Sequence, residues 1–114
     1  MVDLSTFDPN SVGNPNNNIF GLPFEEEDAR VVILPIPWEV TVSYNAGTAR
    51  APEHMFIASL QVDLFDPDFR DTWKQGYYMR KPDKKILMKS DYLRKEAELY
   101  INYIAQGEVL DNNK

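Results

Sequence analysis

The stretch ARVVILPI, residues 29–36, constrains this chain more than any other. Val31, Val32, Ile33 and Leu34 follow one another with no polar alternation. A strand with one wet face alternates apolar and polar residues. An unbroken, largely β-branched run reads instead as a strand buried on both faces, as in a parallel sheet covered by helices on either side. Pro35 and Pro37 end the pairing, because proline has no N–H to give to a ladder. Whatever fold the chain adopts has to surround this segment.

The flanking sequence supplies part of such a surround. A loop runs from Trp38 to about Ala51, with Gly47 as its permissive backbone position. Pro52 suits the first turn of a helix, and Glu53 suits its positive end. The spacing predicts a helix over PEHMFIASLQ, residues 52–61, with Met55, Ile57, Ala58 and Leu60 on an apolar face. VDLFD, residues 62–66, reads as a second short strand closed by DPDF, which gives a β–loop–α–β order and a right-handed parallel crossover. Residues 70–82 are aromatic and irregular, with Trp73, Tyr77 and Tyr78 around Gly76. Residues 83–106 have a helical pattern, in one piece or in two with a joint and cap at Ser90-Asp91. There Leu93, Ala97, Tyr100, Ile101 and Ile104 share a face. Arg94 and Glu98, four apart, are placed to pair on the outside. Gly107 is a suitable stop.

Residues 1–29 form an irregular N-terminal arm. NSVGNPNNN, residues 10–18, is too dense in turn formers for helix or strand. IFGLPF, residues 19–24, is too apolar to float and is expected to dock on a neighbouring surface. Residues 30–114 then read as the opening of an α/β domain that is incomplete by itself. Two strands cannot bury a segment written for burial on both faces. The expectation is that further polypeptide beyond Lys114, or another chain, completes the sheet.

Composition narrows the function classes. The 114 residues include no cysteine, which excludes disulfides and thiolate metal sites and fits a reducing, cytoplasmic setting. No apolar run is long enough to span a membrane, and MVDLSTFDPN lacks the basic and apolar regions of a signal peptide. The net charge is −6, distributed as −9 over residues 1–69, +4 over 70–106 and −1 over 107–114. An acidic chain is a poor nucleic-acid partner.

Residue chemistry alone yields no complete active site. His54 is the sole histidine, and its helical neighbours Ala51, Ile57 and Ala58 are not ligands. Asp63, Asp66, Asp68 and Asp71 invite a calcium reading, but counting from Asp66 puts an aspartate at position six and a tyrosine at position twelve, where an EF-hand loop needs glycine and glutamate. They read as a solvated turn. Gly47 by itself satisfies neither the dinucleotide fingerprint nor the phosphate loop. Ser43, Ser59 and Ser90 have no base in evident reach.

The order of features over PIPWEVTVSY and NAGTARAPEHMFIAS nevertheless resembles the N-terminal signature of the ureohydrolases, the arginase and agmatinase family. Gly47, Thr48, Pro52 and Ser59 fall in the places of a Gly-Thr-x-x-Gly-Pro segment and the serine that ends its helix. FDPNSVG, FGLPF and LFDPD are similar to a bacterial agmatinase-like branch. Ala51 stands where the family has glycine, which a negative φ would accommodate, and Phe56 and Ile57 stand where an arginine is common. The resemblance implies a three-layer α/β/α fold with a mainly parallel sheet. It implies a hydrolase with two manganese ions, or nickel in some relatives, that cleaves a guanidino C–N bond and releases urea from a small guanidino substrate. The family's histidine and aspartate ligand segments are not in this sequence, so no catalytic residue or metal ligand is carried over. The resemblance also implies a homo-oligomer. It puts the loop after the first strand at the carboxyl edge of the sheet, where ligands of open α/β sheets bind. Tyr44, Asn45, Gly47, Thr48 and Trp38 are then candidates for the substrate mouth. The alternative is a stand-alone, non-catalytic interaction or assembly module that buries residues 31–36 against a partner. A third reading, a small nucleotide-binding domain, rests on Gly47 alone.

Overall fold

The computed structural model describes residues 1–107. Helices accompany a two-stranded parallel sheet, an α/β arrangement. The order is β1 (Val31–Ile33), α1 (Ala51–Ser59), β2 (Tyr77–Met79) and α2 (Lys84–Ala105). The chain divides into two units. The first joins Met1–Pro35 to Pro52–Pro82, and the second joins Ile36–Ala51 to the chain from Asp83 onward.

In the first unit, β1 and β2 pair in register Val31 with Tyr77, Val32 with Tyr78 and Ile33 with Met79. The pairing is parallel, as the apolar run predicts, but the second strand is not the expected one. Residues 62–66 form no strand. The Val62 N–H donates to the Ser59 carbonyl as α1 unwinds, and Asp66 Oδ1 accepts from the Asp68 and Phe69 N–H groups at 2.8 and 3.0 Å. Those local bonds compete with a ladder. The supposedly irregular aromatic stretch supplies β2 instead. Gly76, at φ +85°, turns the chain into it, and its carbonyl accepts from the Arg30 and Val31 N–H groups. A Cβ here would lie 3.0 Å from Ala29 Cα and 3.1 Å from Phe24 Cδ1.

The core of this unit comes largely from the arm. Leu22 is fully buried, and Phe24 and Trp73 pack with it against Val2, Leu4, Phe7, Phe20, Leu64 and Tyr77. Phe7 meets Trp73 at 5.2 Å between ring centroids, and Phe20 meets Tyr77 edge-on at 5.7 Å. Burying one such side chain contributes about 1.5–3 kcal/mol. Asn18 ties the arm to β2. Its Oδ1 accepts from the Ile19 and Met79 N–H groups at 2.8 and 2.6 Å, and its Nδ2 donates to the Met79 carbonyl at 3.2 Å. Ser59 Oγ donates to the Phe56 carbonyl at 2.6 Å and accepts from the Phe20 N–H at 2.9 Å.

Two burial expectations fail. Val31 and Val32 are 38% and 42% exposed, because β1 has one neighbouring strand among the described residues. On α1, Met55 and Ile57 are each 65% exposed and the buried side chain is Ser59. The helix thus turns its predicted apolar face outward. Ala51 has φ −54°, so the missing glycine costs the backbone nothing.

In the second unit α2 is one uninterrupted helix of 22 residues. Its N-cap is Asp83, whose carboxylate accepts from Lys85 and Ile86 N–H groups at 2.7 and 3.3 Å. Ser90-Asp91 is no joint. It lies mid-helix, and Ser90 is fully buried. Of the predicted face, Leu93, Ala97 and Ile101 are half-buried while Tyr100 and Ile104 are exposed. Gly107, at φ +75°, follows the last turn.

Candidate functional site: a closed loop on the long helix

All five candidates for the substrate mouth lie on one segment of the second unit, Ile36–Ala51, which follows β1 in the chain and ends at the first residue of α1. Glu39 organises it. Its backbone N–H donates to Ser90 Oγ at 3.0 Å, and its carbonyl accepts from the Val42 N–H at 3.2 Å. Its carboxylate Oε2 accepts from the Gly47 N–H at 2.6 Å and the Ala49 N–H at 3.0 Å. One side chain therefore closes residues 39–49 into a loop.

The closure follows from a local shortage. A helical turn begins with N–H groups that have no partner in the turn, and a side chain at its N-cap usually accepts from them. The turn Thr48–Arg50 is capped by Gly47, which has φ +132° and no side chain to offer. Glu39, eight residues upstream, performs the capping at a distance. The N–H groups of Ala49 and Gly47 hold its carboxyl below the ordinary glutamate range, with smaller contributions from the Arg94 and Arg50 guanidinium groups.

The helix side of the loop is equally specific. Ser90 and Arg94 are one turn apart on α2, and Arg94 Nη1 donates to the Val40 carbonyl at 3.2 Å and to the Val42 carbonyl. Arg50 Nη2 meets Asp91 Oδ2 at 3.1 Å. Arg94 thus pairs with Glu98 as its spacing predicts and also holds the loop. Its side chain is 15% exposed, it lies 3.7 Å from Glu98 by another nitrogen, and its Nε is buried with no acceptor among the described residues.

The loop base is tied and its tip is bare. Tyr44 is 93% exposed, and Asn45, Gly47 and Thr48 are exposed beside it in sequence. Trp38, at the base, is 42% exposed. A mobile-looking sequence is thus anchored at four points and presents a phenol, a carboxamide and a hydroxyl, the type of group that binding loops carry on rigid scaffolds. The sequence alone assigns none of the residues that position the tip, Glu39, Ser90, Asp91 and Arg94, to the loop. The available signal was two polar residues, Ser90 and Arg94, at core spacing on an otherwise apolar helix face.

A metal fits poorly here. Among the described residues no three His, Cys, Asp or Glu side chains converge on a point that could hold an ion. His54 is exposed on α1, and the Asp66 carboxylate is spent on backbone N–H groups. The first unit also contains a cleft of about 690 Å³ with Leu22, Phe56 and Met79 in its lining and Glu53, Arg80 and Lys81 around it. Arg80 is already paired with Glu26, and the cleft brings no histidine or buried nucleophile.

Comparison with known proteins finds short, specific similarity. The N(1)-aminopropylagmatine ureohydrolases of two Thermus thermophilus strains are each 42% identical over 43 residues, which are 38% of this chain and 14% of the relative. The enzyme of the same name from Synechocystis is 44% identical over 41 residues, 36% of this chain and 13% of the relative. The matched stretch therefore spans about one seventh of the length of these relatives. No protein-family model matches the chain. No solved structure matches it.

Proposed function

We propose that the chain is the opening part of an agmatinase-like hydrolase that cleaves a guanidino C–N bond and releases urea, and that residues 39–49 form one wall of its substrate mouth. The observation that carries this reading is the tied loop with a bare tip, in a chain with partial similarity to three ureohydrolases. A guanidinium substrate presents N–H donors in a fixed plane and needs acceptors. The Asn45 carbonyl and the Tyr44 and Thr48 hydroxyls are acceptors without full charge. The excess of carboxylates over residues 1–69 favours the approach of a cation. In this reading the ions, two manganese or in some relatives nickel, are held outside these 114 residues, in further polypeptide or in a partner chain within a three-layer α/β/α homo-oligomer in the cytoplasm. No step of the chemistry is assigned to a residue of this chain.

One observation favours a second reading. Val31, Val32, Leu34 and Ile36 are all exposed, which suits a non-catalytic assembly module that buries them against a partner. The two readings separate on the natural polypeptide, isolated from its source with an antibody to residues 70–106. A mass well above 13.2 kDa, with manganese-dependent urea release from agmatine or aminopropylagmatine, is the expected result. A mass of 13.2 kDa with no urea from either substrate overturns the hydrolase reading in favour of the module. Residues 1–114 expressed alone are expected to release no urea.

A further inference from the structure

We propose that Glu39 is the positioning residue of the substrate loop: its ionised carboxylate, rather than any residue at the tip, sets where Tyr44 and Asn45 stand. The inference rests on the reading that this loop borders the substrate, and it adds how the loop is held and what would release it.

Three observations carry it. First, Glu39 bonds both ends of the excursion, to Gly47 and Ala49 by its carboxylate and to Ser90 by its backbone. Second, nothing local substitutes for it. Gly47, the N-cap of the turn that begins at Thr48, has no side chain to offer. Third, the other anchors hold different atoms. Arg94 holds the Val40 and Val42 carbonyls on the outgoing limb, and Arg50 with Asp91 holds the base of the returning limb. Without the carboxylate, the returning limb would keep the Arg50–Asp91 pair at its base but lose the bonds at Gly47 and Ala49. A carboxylate that accepts two N–H bonds is a stronger tie than a neutral acceptor, because charge-assisted hydrogen bonds are about twice as strong.

The charged groups facing this carboxylate are Arg94 and Arg50, and each has its own acidic neighbour, Glu98 and Asp91. Protonation of Glu39 weakens the tie to Gly47 and Ala49, while Arg94 still donates to the Val40 and Val42 backbone carbonyls, which do not titrate. The loop should loosen from its returning limb only.

The test has two arms. In the first, the amide proton resonances of Gly47 and Ala49 are followed by NMR as pH falls. Both are expected to move together with a single midpoint below the ordinary glutamate range, and to be static in Glu39→Gln, which keeps the volume and an acceptor oxygen but cannot ionise. Separate titrations, or the same titration in Glu39→Gln, overturn the clamp. In the second arm, urea release by the intact natural protein is measured for Glu39→Ala and Glu39→Gln. The expected result is a KM raised roughly tenfold in Glu39→Ala with a smaller change in kcat, and only part of that loss recovered in Glu39→Gln, whose neutral oxygen is the weaker acceptor, since loss of an orienting contact acts mainly on binding. Unchanged KM and kcat in Glu39→Ala overturn the positioning role while leaving the hydrolase reading intact. An intact protein that releases no urea overturns the hydrolase reading, and the amide titration still decides whether Glu39 ties the loop.

Discussion

The smallest scale on which this molecule can be broken is Asn18. Its side chain makes three hydrogen bonds, two of them to Met79, which is 61 positions away. The sequence marks it only as one of several turn-forming asparagines, because its partners belong to a strand that propensity does not announce. Asn18→Ala is expected to destabilise the first unit by about 1–3 kcal/mol, since it leaves the Met79 N–H and carbonyl without their partner in a half-buried site. Asn18→Asp keeps the acceptor for both N–H groups and should lose less. Urea unfolding midpoints rank the two, and equal midpoints for all three proteins would contradict the role given to Asn18. Glu39 illustrates the same limit at the second unit: a carboxylate eight residues before a glycine carries no recognised spacing. Its pH dependence does have a sign. A carboxyl lowered in the folded state contributes stability that is present above the unfolded glutamate value and is lost as pH falls through the lower, folded value. Acid unfolding of the second unit should therefore begin later in Glu39→Gln than in the natural chain relative to each protein's neutral-pH stability.

Elements were legible where the pattern was long and obscure where it was short. The helical spacing of residues 83–106 survives as α2, and the buried run survives as a parallel strand trimmed to Val31–Ile33. The error inside α2 came from reading Ser90-Asp91 as a cap by residue type, although Asp83 already supplied one just before the first helical residue. Ser90 is polar and mid-helix because it receives the loop, not because the helix restarts there. Asp83→Ala should lower the stability of α2 by about 0.5–2 kcal/mol, the usual range for a lost N-cap. Asp91→Ala, at the supposed joint, should cost less, since Asp91 makes an exposed ion pair with Arg50 and such pairs contribute about 0–1 kcal/mol. Helix content by circular dichroism during thermal unfolding separates the two variants. A larger loss for Asp91→Ala would restore the broken-helix reading. The strand error has the same root. VDLFD has the better β composition, yet its Val62 N–H and its Asp66 carboxylate are taken by turns, whereas Tyr77–Met79 gains a neighbour through the turn at Gly76.

At the scale of the whole molecule, the sequence carried a demand that these residues do not meet. A run written for burial on both faces ends up with Val32 at 42% and Leu34 at 61% exposed, while Met55, Ile57, Phe65 and Phe69 are exposed as well. Single exposed apolar side chains are ordinary, but an unpaired strand edge bearing several of them is a site for association. The inference that something covers β1 was available from the absence of alternation alone; what covers it was not, because two strands fix neither the order nor the number of their neighbours. Residues 1–114 by themselves should associate in a concentration-dependent way, visible as an increase in apparent mass by light scattering, and should bind a dye for exposed apolar surface. Val32→Lys places a charge on the uncovered strand without touching Leu22, Phe24 or Trp73, and charged residues are a common protection for free edges. It should shift the isolated chain towards monomer while leaving its circular dichroism unchanged. If, as proposed, further polypeptide or a partner chain covers β1, the same substitution in the completed protein should do the opposite of help. There the lysine would be buried without a partner, at a cost of several kcal/mol, and the protein should unfold at a lower temperature. The pair of outcomes, monomerised fragment and destabilised whole, is expected only if β1 is an interior strand of a larger structure. A Val32→Lys that leaves the intact protein's melting temperature unchanged would mean that this strand faces solvent in the native molecule, and the case for a completed sheet would go with it.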